Sequence, residues 1–402
     1  MVRGGSIVRS TVAIAAVIIG GGIIASGQLA TPDRIQGPGW WPTKGTAPRA
    51  DYVGSEACRP CHGSQASSQP STSMARTAMR ADQSDVLRAS PQLTFSSGDY
   101  SYRIASGDDL PPGQPTGVRP QESATGGQTP NRDAPLYTVS SGTQSSSARL
   151  TWAFGAGKVG QSFLFDRDGT VHEARASYFD SIHTLAFTPG RAVTAPRNLA
   201  EAMARPVDQA ELRRCFACHT TAPTTEGKFD PSRAIPGVTC EACHGPGRRH
   251  AEAMKLPRNV GGDAPLLNPA KLRPEESVDF CGACHATFFD IALTGTQGTP
   301  ALRSQPYRLQ LSRCWKAGRD ARLTCIACHN PHRPLVTDAP AYDDRCLNCH
   351  VTAGTEPTSE RAGRACPVGS SRCATCHMPK YDVPDMHHEF TDHRIQVPQR
   401  RP

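Results

Sequence analysis

The stretch Gly237-Val-Thr-Cys240-Glu-Ala-Cys243-His244-Gly-Pro-Gly247 carries the pattern Cys-x-x-Cys-His, and the chain repeats that pattern six more times. The other copies are Cys58-Arg-Pro-Cys61-His62, Cys215-Phe-Ala-Cys218-His219, Cys281-Gly-Ala-Cys284-His285, Cys325-Ile-Ala-Cys328-His329, Cys346-Leu-Asn-Cys349-His350 and Cys373-Ala-Thr-Cys376-His377. The composition would supply roughly 0.02 copies by chance, so seven require a chemical reason. Two thiols that add to porphyrin vinyl groups, with the next histidine as proximal iron ligand, are that reason. Paired Cys-x-x-Cys also builds zinc sites, but zinc does not need a histidine directly after every second cysteine. A disulfide framework fits worse, because a Cys-x-x-Cys disulfide is redox-labile rather than structural.

Composition agrees. Of 402 residues only 37% are hydrophobic and 6% aromatic, while 36 are glycine and 35 proline. That is thin material for a polypeptide core and rich material for loops. Seven covalent haem c groups, each with a large apolar surface, would supply much of the missing core. The formal charge of +8 does not argue for nucleic acid, since haem propionates and ferric iron reset the balance.

Met1-Val-Arg3 to Arg9, followed by the apolar run Thr11–Ala25, reads as a secretory signal or an N-terminal anchor over residues 1–30. Either directs the chain to the periplasm or cell envelope, where disulfides persist. Cys314 and Cys366, the two cysteines outside the motifs, are then expected to pair. Residues 31–51 are a Pro/Gly-rich tether. A first haem segment (52–90) precedes a gap without motifs, in which Tyr100, Tyr102 and Ile104 alternate with polar residues, as do Leu150, Trp152 and Phe154. Phe163 and Phe165 run into Asp166-Arg-Asp168-Gly169, a hairpin signal. The gap therefore predicts a small antiparallel β-module (91–190) between the first and second haem motifs, with a mobile loop near 106–135. The remainder, 191–402, is a six-haem domain whose first-cysteine spacings of 25, 41, 44, 21 and 27 residues exclude a strict repeat. Its helices are short. Pro274-Glu275-Glu276 opens one, with Val278, Cys281 and His285 on one face. The fold class is thus short α-helices and loops wrapped around seven covalent haems, plus the β-module.

Seven of the fourteen histidines are proximal; the rest are candidates for the second axial position, which a low-spin electron-transfer haem fills with His or Met. His250, past a Gly-Pro-Gly turn, and His332, past Asn330-Pro331, lie too near their own motifs to reach the same iron and are expected to ligate neighbours. His393 and one of His387 and His388 are further ligand candidates, as is His183. His172, beside the hairpin turn, is expected to be solvated. Met74 or Met79 is the candidate sixth ligand at the first haem.

The region Tyr52–Val397 resembles the multihaem c-type cytochromes of the cytochrome c-552/4 (cytochrome c554 and c-prime) group. The resemblance is carried by Tyr52-Val-Gly-Ser-Glu-Ala-Cys58, the Gly237–Gly247 stretch, Gln305-Pro-Tyr-Arg-Leu-Gln-Leu-Ser-Arg-Cys314, Cys376-His-Met-Pro-Lys380 and Phe390-Thr-Asp-His-Arg-Ile395. It implies closely stacked, mostly bis-histidine haems. Relatives often carry a histidine soon after the first attachment site, where this chain has Met74. The expected function is single-electron transfer between redox partner proteins, with a membrane quinol-linked donor as one possibility and membrane association through the N-terminus. The alternative is an oxidoreductase acting on a nitrogen or sulfur oxyanion at one five-coordinate haem, the isolated first site being the candidate. No Cys-x-x-Cys-Lys motif, a mark of many nitrogen-oxyanion reductases, occurs.

Overall fold

The computed structural model describes residues 47–106, 134–190, 195–257, 266–318 and 322–398. The leader (1–30), most of the tether and most of the expected mobile loop lie outside the described residues.

Ten antiparallel strands form the largest sheet: β1 (Ala78–Arg80), β2 (Gln92–Ser97), β3 (Tyr100–Ala105), β4 (Leu136–Ser141), β5 (Gln144–Phe154), β6 (Gly160–Arg167), β7 (Thr170–Ala174), β8 (Ala176–Phe179), β9 (Thr184–Phe187) and β10 (Ala204–Pro206). The main path runs β10-β7-β6-β5-β4-β3-β2, with β1 against β5 and β8 between β6 and β9. Two-residue loops make the β2–β3, β4–β5 and β6–β7 hairpins. The clearest is Asp168-Gly169, where both residues hold the positive φ that such turns require (52° and 75°). A register shift between Leu150 and Trp152 bends β5, and the sheet curls until β9 meets β2. There Thr184 Oγ1 donates to the Thr94 carbonyl at 2.7 Å, and Phe187 stands edge-on to Phe95 at 5.1 Å.

Alternation decides which side chains the curl encloses: Tyr102, Ile104, Tyr137, Val139, Leu150, Phe163, Phe165 and Leu185 form one buried cluster. This corrects the expectation of a small module. The sheet is larger than residues 91–190, because three-residue edge strands at 78–80 and 204–206 are recruited by pairing rather than by any pattern of their own. It also carries its own polypeptide core. The helix Gln209–His219, capped by Asp208, whose side chain accepts from Glu211 N at 2.7 Å, packs on the other face through Leu212 and Phe216 against Trp152, Leu164 and Val171.

Beyond Cys240 the chain changes character. Short helices and turns follow, and buried apolar side chains are few and scattered, such as Val278, Phe280, Leu302, Leu309 and Val383. A two-stranded sheet, Lys380–Val383 with His388–Thr391, closes the C-terminal segment. Among the described residues no helix is long and apolar enough to cross a membrane. No disulfide joins Cys314 to Cys366 among the described residues.

Candidate haem centres

Each attachment motif folds as one helical turn. The His62 amide donates to the Cys58 carbonyl, His329 to Cys325 and His350 to Cys346, each at 2.9 Å. The second, third, fourth and seventh motifs lie in the helices Gln209–His219, Cys240–His244, Pro274–His285 and Cys373–His377. A single turn puts the first thiol and the imidazole, four residues apart, on one face. This is the arrangement that holds a porphyrin edge while presenting nitrogen to its iron.

The motifs also meet one another. The Cys58 side chain lies beside that of Cys240, Cys218 beside Cys284, Cys281 beside Cys325, and Cys346 beside Cys373. The first motif therefore touches the third, the second touches the fourth, the fourth touches the fifth, and the sixth touches the seventh. Spatial order departs from sequence order, and the fourth motif has neighbours on two sides.

Three proximal imidazoles face a second imidazole. The centroid separations are 6.4 Å for His62 and His250, 6.1 Å for His244 and His332, and 6.2 Å for His329 and His393. A metal–imidazole bond is about 2 Å, so two imidazoles on opposite sides of one iron put their ring centres about 6 Å apart. The residues fit an iron between each pair. The nitrogens fit as well. Nδ1 of His244 bonds the Leu267 carbonyl at 2.7 Å and Nδ1 of His393 that of Thr391 at 3.0 Å, which leaves Nε2 for metal. His219, His350 and His377 are anchored in the same way by the carbonyls of Thr77 (3.0 Å), Arg364 (3.0 Å) and Gln396 (2.7 Å). Burial holds His219, His285, His329 and His332 below the ordinary imidazole range and pushes His393 down to about 4. The neutral ring is the metal-binding form.

At the first site, where the sequence offers Met74 or Met79 as a candidate sixth ligand, His250 stands opposite His62, in keeping with its expected role toward a neighbouring haem. Met79 lies in β1 and packs against the sheet core, while the Met74 carbonyl accepts from Val238 N at 3.0 Å. His172, expected to be solvated, is half-buried and stacked on Phe165 at 5.4 Å and 8°. His183 and His387 occupy equivalent places, each at φ near +50° after a three-residue turn between paired strands. The two turns touch: Phe179 meets the His387 ring edge-on at 4.8 Å, and Ser181 Oγ donates to the His387 carbonyl at 2.5 Å. His388 lies against Phe390 at 5.0 Å. None of His183, His387 and His388 comes into ring contact with a proximal imidazole among the described residues.

Several residues that support the site escaped the sequence reading. Phe216, inside the second motif, is wedged edge-on between Trp152 (5.0 Å) and Phe154 (5.2 Å). Arg308 makes a two-pronged bond to buried Asp392 at 2.8 and 2.6 Å, beside His393. Glu241 is buried inside the third motif. Only Glu241 left a trace in the sequence, as the one acid between paired attachment cysteines.

Residues 170–245 match the family described as cytochrome c554 and c-prime. The multihaem cytochrome MtrA of Shewanella baltica (strain OS185) is 26% identical over 184 residues, which cover 42% of this chain and 46% of MtrA. The match thus spans less than half of that relative. Among solved structures, the outer cell wall cytochrome OcwA aligns with a TM-score of 0.44 at 14% identity, over 86% of this chain and 80% of OcwA.

Proposed function

We propose that this chain, whose attachment motifs and matches are those of multihaem c-type cytochromes, is an exported heptahaem protein of the periplasm or cell envelope that carries single electrons between redox partner proteins. The observation that carries this reading is the set of three opposed imidazole pairs, because filling both axial positions suits an iron to electron transfer rather than to binding a substrate. When bound, haem c supplies one-electron redox chemistry at iron. The polypeptide's part is to attach it at Cys58, Cys61, Cys215, Cys218, Cys240, Cys243, Cys281, Cys284, Cys325, Cys328, Cys346, Cys349, Cys373 and Cys376, and to ligate it through the seven proximal histidines. His250, His332 and His393 serve as second ligands to the first, third and fifth sites. Thiol contacts between motifs support close spacing of the groups they hold.

In this reading residues 52–90 form the first haem segment and 191–402 the six-haem domain, with the sheet between them bracing the second motif. A membrane quinol-linked donor fits a carrier of this kind. Mass spectrometry of the mature protein tests the count: seven haem additions are expected, and any smaller number refutes it. Stepwise potentials in a redox titration are expected of a multi-site carrier, whereas one homogeneous potential argues against it.

The enzymatic alternative now rests elsewhere. His219, His285, His350 and His377 have no second imidazole in ring contact among the described residues, so an oxyanion-reducing position belongs at one of these rather than at the first site. A ligand-responsive high-spin ferric signal in the wild-type protein would favour that alternative.

A further inference from the structure

Glu241 occupies the first variable position of the third attachment motif, where its side chain would be expected on the solvated face of a five-residue helix. Instead it is 2% exposed. One carboxylate oxygen accepts the amides of Val53 and Gly247, and the other accepts that of Gly54, all at 2.8 Å. A carboxylate has room for all three bonds, and charge assistance strengthens each.

The donors come from two separate segments. Val53 and Gly54 lead into the first motif: Gly54 holds φ at +83° and opens the 3-10 turn Ser55–Ala57, which runs straight into Cys58 and His62. Gly247 ends the Gly-Pro-Gly turn and opens the helix Arg248–Ala253, which carries His250. Arg248 of that helix adds a second tie, Nε to the Ala50 carbonyl at 2.8 Å. The fit is close. A methyl group on Gly247 would lie 3.2 Å from both Glu241 Oε1 and Val53 Cγ2, tighter than ordinary van der Waals contact.

We infer that Glu241 is a positioning residue, whose carboxylate sets the gap between His62 and His250 by gripping the two backbone segments that deliver them. The inference rests on the reading of those imidazoles as two ligands of one iron. Glu241 lies within the third motif, so the chain that binds the third haem also fixes the ligand geometry of the first. Charge and acceptor count both matter: an amide keeps one oxygen for Val53 and Gly247 but turns N–H groups toward the Gly54 amide, donor against donor.

The test uses the full holoprotein with ferric EPR, haem counting and cyanide binding on the wild type and three variants, H250A, E241Q and E241D. H250A is expected to convert one low-spin haem of the seven to a high-spin, cyanide-binding form. E241Q is expected to produce the same signal without loss of haem, reversed by added imidazole, and E241D to recover part of the low-spin population. If H250A gives the signal and E241Q keeps the wild-type spectrum, Glu241 does not position the pair. An unchanged H250A spectrum means that His250 is not a ligand, and the inference falls with that reading. Should E241Q fail to mature, G247A carries the test: a smaller fraction of the same signal supports the clasp, and a wild-type spectrum overturns it.

Discussion

Replacing Phe216 by alanine leaves the second Cys-x-x-Cys-His motif chemically intact and removes the anchor beneath it. Phe216 is 0% exposed and contacts Trp152 and Phe154 edge-on at 5.0 and 5.2 Å, with Phe229 at 5.9 Å. Truncating a buried phenylalanine costs about 3–5 kcal/mol, and two close aromatic pairs place this site toward the upper end. At about 2–4 °C per kcal/mol, the unit containing the sheet should melt roughly 6–20 °C lower. Differential scanning calorimetry of the holoprotein measures the shift, and mass spectrometry checks that the haem count is unchanged. Ile326 holds the same place in the fifth motif but is 39% exposed, so Ile326→Ala should stay within about 0.5 kcal/mol. The reasoning is refuted if both variants melt alike, because burial against the sheet would then not be what Phe216 contributes.

Other expectations follow from the same geometry. His332→Ala should convert one low-spin haem to a high-spin, cyanide-binding form, whereas His172→Ala, which removes a ring stacked on Phe165, should leave the EPR spectrum unchanged; matching spectra for the two variants would contradict the pairing of His332 with His244. Gly363→Ala would put a methyl carbon 2.5 Å from His350 Nδ1 and 2.7 Å from its Cε1, so the ring must turn and the sixth haem's signal shift, while Gly369→Ala, with nothing within 4 Å, should be silent. Asp343 ties the sixth motif to the seventh by accepting the amides of Arg372 at 2.6 Å and Cys373 at 2.8 Å, and the Cys373 amide foremost holds its carboxyl below the usual range. A lowered folded-state pKa stabilises above the unfolded value of about 3.9 and is lost as pH falls through the folded value. Hydrogen-exchange protection of the Cys373 amide should therefore persist near neutrality and fade below about pH 4; equal protection in Asp343→Asn at neutral pH would disprove the tie.

What could be read in the chain followed local chemistry. The attachment motifs are contiguous, the Asp168-Gly169 turn needs two residues, and the Pro274 helix start needs three. Pairings between distant segments left no such mark. The edge strands Ala78–Arg80 and Ala204–Pro206 have no alternation to betray them, because their partners β5 and β7 define them. Position along the chain also misled: the first motif looks isolated, yet the Gly-Pro-Gly turn carries His250 back to it. The burial of Glu241 is not legible either, because the three amides that surround its carboxylate come from Val53, Gly54 and Gly247, two of them far off in sequence.

The opposed imidazoles follow a rule of precedence along the chain. His250 trails the third motif and faces the first, His332 trails the fifth and faces the third, and His393 trails the seventh and faces the fifth. A polypeptide emerging from its N-terminus can thus complete none of these sites until a motif two places later has appeared. In the proposed reading these three centres take their second ligands from chain that follows, and a product truncated before residue 393 is expected to lack the second ligand of its fifth centre.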